Sequence, residues 1–271
     1  MLPDADPEIP RNNLEMTLDI SHALIAFIAA FMAGLINSVA GGGTLISFPT
    51  LIWLGLSSVN SNATNTVALW PGSLGGAWGY RRDLRRVESR LLAFIIPSVL
   101  GGMAGALLLA QTPPDVFDRL VPALVLFATF LFMFRGLLQS RFNPASGHAE
   151  LSAPWPVAAP LIQFGVALYG GYFGAGIGIL MLAALSLLGM NDIHQMNGLK
   201  NLLALCINAS ASLYFAWAQM VYWPYAVIMA VGAVAGGYSC AGIAYRLGAR
   251  AVQRIVVVIG FVMAFSLFLR H

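Results

Sequence analysis

Ten apolar stretches alternate with short polar or glycine-rich interruptions, at residues 20–37, 44–56, 63–80, 91–110, 120–138, 157–173, 178–188, 199–218, 225–245 and 255–269. Most are long enough, at about 1.5 Å of rise per residue, to cross all or most of a hydrocarbon core of about 30 Å. They are too long and too continuously apolar for the alternating strands of a barrel. Helices are the remaining way to satisfy the backbone in lipid. The second and seventh stretches are too short to span alone. Each follows a glycine cluster, Gly41-Gly42-Gly43 in the first case and Gly174-Ala175-Gly176-Ile177-Gly178 in the second. The pattern predicts an all-α membrane protein, a polytopic bundle of about ten segments, two of them short half-helices behind glycine breaks.

The two breaks occupy corresponding places. Gly55 matches Gly189, Gly101-Gly102 matches Gly236-Gly237, Arg119 matches Arg254, and Arg135 matches Arg270. Between these anchors NATNTVAL at 62–69 lies against GLKNLLAL at 198–205. The chain therefore divides into a polar tail (1–19), a first repeat (20–138), a linker (139–156) and a second repeat (157–271). Charge orients them. The loop at 81–90 holds Arg81, Arg82, Arg85, Arg86 and Arg90, which predicts a cytoplasmic side. Its counterpart at 217–224 has no charge, and the acidic stretch at 111–118 is matched by the basic Arg246, Arg250 and Arg254. Equivalent loops thus prefer opposite sides, as inverted-topology repeats with an odd number of segments require. The linker is expected on the cytoplasmic side of a bacterial inner membrane.

Composition agrees and excludes other classes. Hydrophobic residues make up 59% of the 271 and charged ones 9%, against about a quarter charged in soluble domains. The net charge of +3 comes from arginines at segment ends, so no nucleic-acid partner is implied. The first 19 residues carry Asp4, Asp6, Glu8, Glu15 and Asp19 against Arg11, unlike a basic secretory leader. Cys206 and Cys240 fall inside apolar segments and read as buried small hydrophobes. No metal site or cofactor is expected. HExxH, GxSxG and the phosphate-loop signature are absent, and GAGIG lacks the strand and acidic residue of a dinucleotide fold. An enzyme is not expected.

The candidate chemistry lies at the breaks. Glycine-rich backbone at membrane depth exposes amides at the start of the following half-helix, where the dipole favours an anion. Two such breaks in matching places point to a transport site between them. The competing structural reading is that the glycines only let helices approach closely. Lys200, the chain's lone lysine, lies near the start of an apolar segment with Asn201 beside it. It is there either to meet an anion or to snorkel to the interface. Thr64 and Asn65 match Lys200 and Asn201. Asn37, Asn62, Asn197 and Asn208 add further amides able to donate to anion oxygens or to join helices. Asp192 and His194 lie in a short link, His194 as a loop residue. Trp53, Trp70, Trp78, Trp155, Trp217 and Trp223 fall mostly near segment ends, as an interfacial belt would.

AGLINSVAGGGTLISFPTLIWLGL followed by NATNTVAL, then GGYFGAGIGILMLAALSLLGM followed by NGLKNLL, resembles the two repeat signatures of the TauE/SafE permeases. This is the sulfite exporter or toluenesulfonate uptake family, and the resemblance runs from about residue 20 onward. It implies a carrier of small anions, especially sulfur oxyanions, sulfonates or organic acids. Its motifs fall on Asn37, Gly41, Gly42, Gly43, Thr64 and Asn65, and on Gly174, Gly176, Gly178, Lys200 and Asn201. Where many members read Thr-Asn-Lys, this chain has Thr64-Asn65-Thr66, which leaves Lys200 as the single cation and makes a less negative substrate conceivable. The expected partners are a small anion, the lipid bilayer and, at most, further copies of the chain as a homo-oligomer. The alternatives are an anion channel and a non-catalytic membrane assembly subunit.

Overall fold

A computed structural model describes residues 19–39, 42–79, 89–134, 158–187, 190, 193–247 and 249–269. Within them are ten α-helices and no strand. We number them α1 (Ile20–Val39), α2 (Thr44–Trp53), α3 (Ser58–Gly79), α4 (Ile95–Gln111), α5 (Pro114–Met133), α6 (Ala158–Tyr172), α7 (Ile177–Leu187), α8 (Ile193–Trp217), α9 (Trp223–Leu247) and α10 (Ala249–Leu269). A 3₁₀ turn, Ser89–Phe94, leads into α4. Four helices are long and apolar enough to cross a bilayer: α1, α4 with its leading turn, α5 and α8. The ten apolar stretches thus correspond to the ten helices, and α2 and α7 are short, with ten and eleven residues. The polar tail through residue 18, the arginine loop at 81–88, the linker and Gly41 lie outside the described residues.

Four helices begin five or six residues before their apolar stretches: α3 at Ser58, α5 at Pro114, α8 at Ile193 and α10 at Ala249, against runs at 63, 120, 199 and 255. The starts of α3 and α5 carry Ser, Asn, Pro and Asp, which read as loop. These two are tied to each other, because the Ser58 hydroxyl donates to the Asp118 carboxylate.

Packing interlocks the halves. α1 lies chiefly against α9 and α4 chiefly against α6, so the first helix of each half rests on the fourth helix of the other. The list of neighbours largely maps onto itself when each helix is exchanged with the one five places away: α3–α9 with α8–α4, α1–α2 with α6–α7, α2–α3 with α7–α8. The two main seams repeat each other position by position. A methyl built on Gly101 would meet the Phe164 carbonyl oxygen at 2.7 Å, one on Gly105 that of Leu168 at 2.2 Å, and one on Gly171 that of Gly102 at 2.1 Å. In the other seam Gly232 faces the Phe27 carbonyl at 2.6 Å, Gly236 that of Phe31 at 1.9 Å and Gly34 that of Ala233 at 2.1 Å. Backbones this close leave no room for a Cβ, the usual way membrane helices associate when burial in lipid gives no hydrophobic gain.

The contacts pair Gly101 with Gly232 and Gly105 with Gly236, one turn away from the sequence match of Gly101-Gly102 with Gly236-Gly237. The reason is loop length. From Asn65 to Gly101 the chain has 101 − 65 = 36 positions, and from Asn201 to Gly232 it has 232 − 201 = 31. The connection between the third and fourth helices is therefore about one and a half turns shorter in the second half.

Among the described residues the interior has three apolar clusters. A central one joins Ile36, Phe48, Val125, Phe132, Phe173 and Phe215 from both halves. One flanking cluster gathers Leu91, Phe94, Leu185 and Leu203, and the other Leu51, Leu69, Tyr225 and Met229. Large exposed apolar side chains such as Leu161, Val227, Val262 and Phe265 cover the outside, where lipid would be. Trp53, Trp217 and Trp223 are exposed as an interfacial belt predicts, but Trp70 is half-buried with its indole nitrogen enclosed.

Candidate functional site

Both glycine clusters are genuine interruptions, and their described residues are buried or half-buried in protein. At the first, α1 ends at Val39 and α2 begins at Thr44 after Gly42 and Gly43. A methyl on Gly43 would lie 2.3 Å from the carbonyl oxygen of Ala33, six residues before the end of α1. The chain therefore doubles back beside α1 rather than continuing it, and only glycine fits at that approach. The Gly43 N–H donates to Asn37 Oδ1 at 2.8 Å. Ser47, fully buried one turn into α2, directs its hydroxyl between the Gly43 carbonyl (3.2 Å) and Asn65 Oδ1, the latter a very short contact. Asn37, Gly43, Ser47 and Asn65 thus form one connected polar cluster inside apolar surroundings.

The second break spans residues 173–176, between α6 and α7. Gly174 and Gly176 have φ of +77° and +76°, in the left-handed region. A side chain there is strained by about 1 kcal/mol or more. The Phe173 and Gly174 N–H groups both donate to the Tyr169 carbonyl (2.9 and 3.2 Å), and the Tyr169 hydroxyl donates across the break to the Ala175 carbonyl at 2.7 Å. Asn62 of α3 reaches over from the first half. Its Nδ2 donates to the carbonyl of Tyr172, the residue that enters the break, at 2.9 Å. Its Oδ1 is buried with no partner among the described residues, an arrangement costing about 1–3 kcal/mol if nothing fills it.

The two breaks meet on one turn of α5. A methyl on Gly42 would strike the Phe132 ring at 2.6 Å, and Gly176 borders Leu131 and Ala128 at 3.5 and 3.7 Å. Phe48 of α2 packs edge to face on Phe173 of the second break, ring centres 5.3 Å apart. The N-terminal ends of α2 and α7, each with a positive partial charge, are therefore brought to the same stretch of α5, Ala128–Phe132. Much of the first-turn amide set is already engaged. Leu45 donates to the Gly42 carbonyl, Ile46 and Ser47 to that of Gly43, Ile177 to that of Gly174, and Ile179 and Leu180 to that of Gly176. No described carbonyl of the second break accepts the Gly178 amide.

The remaining predicted residues are placed apart from this junction. Thr64 is buried and its hydroxyl oxygen accepts the Tyr222 N–H at 2.9 Å, tying α3 to the start of α9. Lys200 is half-buried and its Nζ donates to Asn197 Oδ1, one turn back on α8, at 3.2 Å. Asn201, beside it, is also half-buried. Their neighbours Leu199 and Leu203 belong to the flanking cluster with Leu91 and Phe94. α8 meets the second break at Ile207, whose side chain approaches Gly170 beside Ile177. Ile207 is seven residues beyond Lys200, about 10 Å along the helix axis. So the structure gathers Asn37, Gly42, Gly43 and Asn65 at one break and Gly174, Gly176 and Gly178 at the other. It sets Thr64, Lys200 and Asn201 toward the flanks. Asp192 and the side chain of His194 lie outside the described residues.

Sequence reasoning did not single out Ser47 or Tyr169. Ser47 sits four residues past Gly43, the spacing at which a helical hydroxyl bonds back to a carbonyl. Tyr169 is one of two tyrosines on a largely apolar helix, and only the turn of the chain at Gly174 brings Ala175 back to it. Among the described residues no group of His, Cys, Asp and Glu side chains could hold a metal ion.

Comparison with known proteins agrees with this architecture. The family model described as Sulfite exporter TauE/SafE matches residues 26–267. A probable membrane transporter protein of Haemophilus influenzae is 28% identical over 256 residues, covering 92% of this chain and 95% of that protein. The probable membrane transporter protein YfcA of Escherichia coli K12 is 28% identical over 246 residues, covering 90% and 88%. The probable membrane transporter protein ORF9 of a Sinorhizobium species is 27% identical over 252 residues, covering 92% and 94%. No solved structure matches the chain. Ten helices, four of them both long and apolar enough to cross a bilayer, two glycine breaks and a match across nearly the whole chain lead to one conclusion: this multi-pass helical membrane protein belongs to the sulfite exporter TauE/SafE family.

Proposed function

We propose that this family member, a membrane transporter, is a secondary carrier of a small anion in the bacterial inner membrane, built from two inverted repeats. The observation that carries the reading is the convergence of both breaks on the Ala128–Phe132 turn of α5. Two half-helix N-termini that face one buried spot from different halves favour negative charge there. Their position between interlocked halves suits a site that each side of the membrane reaches in turn. The exchange of neighbours between helices five places apart, and the matched glycine seams, support the repeat. Rocking of one half against the other is the motion this architecture favours.

In this reading Gly42, Gly43, Gly174, Gly176 and Gly178 shape the breaks, and Asn37 and Asn65 hold the first one open. The Gly178 amide and the half-helix dipoles attract the anion. Gly41 belongs to the same glycine run. Lys200, with Asn201, supplies a half-buried cation from α8, and Thr64 fixes α3 against α9. Because Lys200 stands about 10 Å from the break level, its role is to draw the anion along the path and to set net charge. Sulfur oxyanions, sulfonates and small organic acids are the proposed substrates.

The test is uptake into proteoliposomes from a panel of such anions, with thermal stabilisation of the purified protein as the binding readout. A carrier gives saturable flux and counterflow, whereas a channel gives neither. Lys200→Met should reduce binding at least tenfold, and unchanged uptake would remove Lys200 from the mechanism.

A further inference from the structure

Asn62 is the fully buried polar side chain whose amide reaches the second break from the other half of the molecule. Its Nδ2 is fixed on the Tyr172 carbonyl. That bond settles the orientation of the amide, since turning it over would set two oxygens against each other. Oδ1 is left enclosed, with no donor among the described residues. An amide oxygen accepts hydrogen bonds and cannot hold an anionic oxygen. The α7 N-terminus, by contrast, behind Gly174 and Gly176, attracts negative charge. Asn62 is tied to the residue that enters the break, the α7 N-terminus stands where the chain leaves it, and the two ask for different halves of one ligand.

We infer that the site selects a small monoanion that also carries one O–H or N–H donor, its charged group at the start of α7 and its donor on Asn62 Oδ1. This rests on the anion-carrier reading and names the substrate class within it. A hydroxy- or amino-substituted sulfonate or carboxylate, or a singly protonated oxyanion, has the required pair of groups. A donor-free anion leaves the buried oxygen unsatisfied. Rejection of ligands that lack a needed hydrogen-bonding group is the stronger form of discrimination available to a binding pocket. The acceptor is present on one side only, because Gly198 stands at the matching place in the second half. The ligand is therefore held in one orientation.

The experiment compares pairs equal in charge and in number of non-hydrogen atoms: glycolate with propionate, and 2-hydroxyethanesulfonate with 1-propanesulfonate. Dissociation constants are measured on the purified full-length protein by calorimetry. The hydroxylated member of the pair that binds should bind at least tenfold more tightly to the wild type. Asn62→Leu should bring the two members within twofold of each other, chiefly by weakening the hydroxylated one. Equal affinities in the wild type would overturn the inference while leaving the carrier reading in place, and that comparison needs no variant. A variant that weakens both members equally would also overturn it, because Asn62 would then merely support the break. If folded wild type binds neither pair nor any other anion of the panel, the carrier reading fails, and this inference falls with it.

Discussion

Ser47 shows how one hydroxyl can hold a break in shape. It links the Gly43 carbonyl to Asn65 of α3, while Asn37 takes the Gly43 amide. Removing Asn65 deprives Ser47 of its side-chain acceptor but leaves the carbonyl. Asn65→Leu should therefore leave the protein folded and lower transport kcat/KM by roughly five- to a hundredfold, the size of effect of losing one buried hydrogen-bonding group. Flux in proteoliposomes checks this, and an unchanged kcat/KM would show that the first break needs no tie to α3. At the second break Gly176→Ala meets only ordinary contacts from Ala128 and Leu131. Its cost is set by the positive φ, about 1–2 kcal/mol, measurable as a lower midpoint in thermal unfolding. At this scale the glycine runs were readable because they interrupt apolar segments, and so were the asparagines beside them. Which asparagine bonds to which backbone group was not. Asn62 and Asn65 are three residues apart on one helix, yet one serves the second break and the other the first.

Among the elements, the seams α1–α9 and α4–α6 carry the architecture. Gly105 meets the Leu168 carbonyl at 2.2 Å and Gly236 that of Phe31 at 1.9 Å. Alanine at either position forces a backbone to move, at about 1–3 kcal/mol. Gly105→Ala and Gly236→Ala should lower the unfolding midpoint by similar amounts, and the double variant by about their sum, because the two seams are separate. A large loss at one and none at the other would argue against matched seams. The number of helices and the shortness of α2 and α7 were legible from hydrophobic length alone. The starts of α3, α5, α8 and α10 were not, because they lie outside the apolar runs; those of α3 and α5 are joined by a contact remote in sequence, the Ser58 hydroxyl on Asp118. The sequence match between the two halves and the seam contacts part by one turn after α3, where the connections differ in length.

For the whole molecule, the arginine loop at 81–90 and the uncharged connection at 218–222 follow corresponding helices yet differ in charge. With inverted repeats they face opposite sides of the membrane. A cysteine at Arg85 should label only from the cytoplasm, and one at Gln219 only from the other side, in intact cells compared with inverted vesicles. Labelling of both from one side would reject the inverted arrangement. The family, the helical membrane fold and the presence of two breaks could be read from the sequence. The meeting of both breaks on α5 could not, since Ala128 and Phe132 look like any other residues of an apolar helix.

The most direct test asks whether a transported anion occupies the junction itself. In a protein with Cys206 and Cys240 replaced by serine, Ser47→Cys places a thiol between the first break and α3. A small anionic thiol reagent should modify it and stop transport, and the transported anion should slow that modification at concentrations near its KM. A cysteine at the lipid-facing Val262 should show no such protection. A Ser47→Cys protein that transports yet never reacts, or reacts at the same rate with and without the anion, would contradict a site between the breaks.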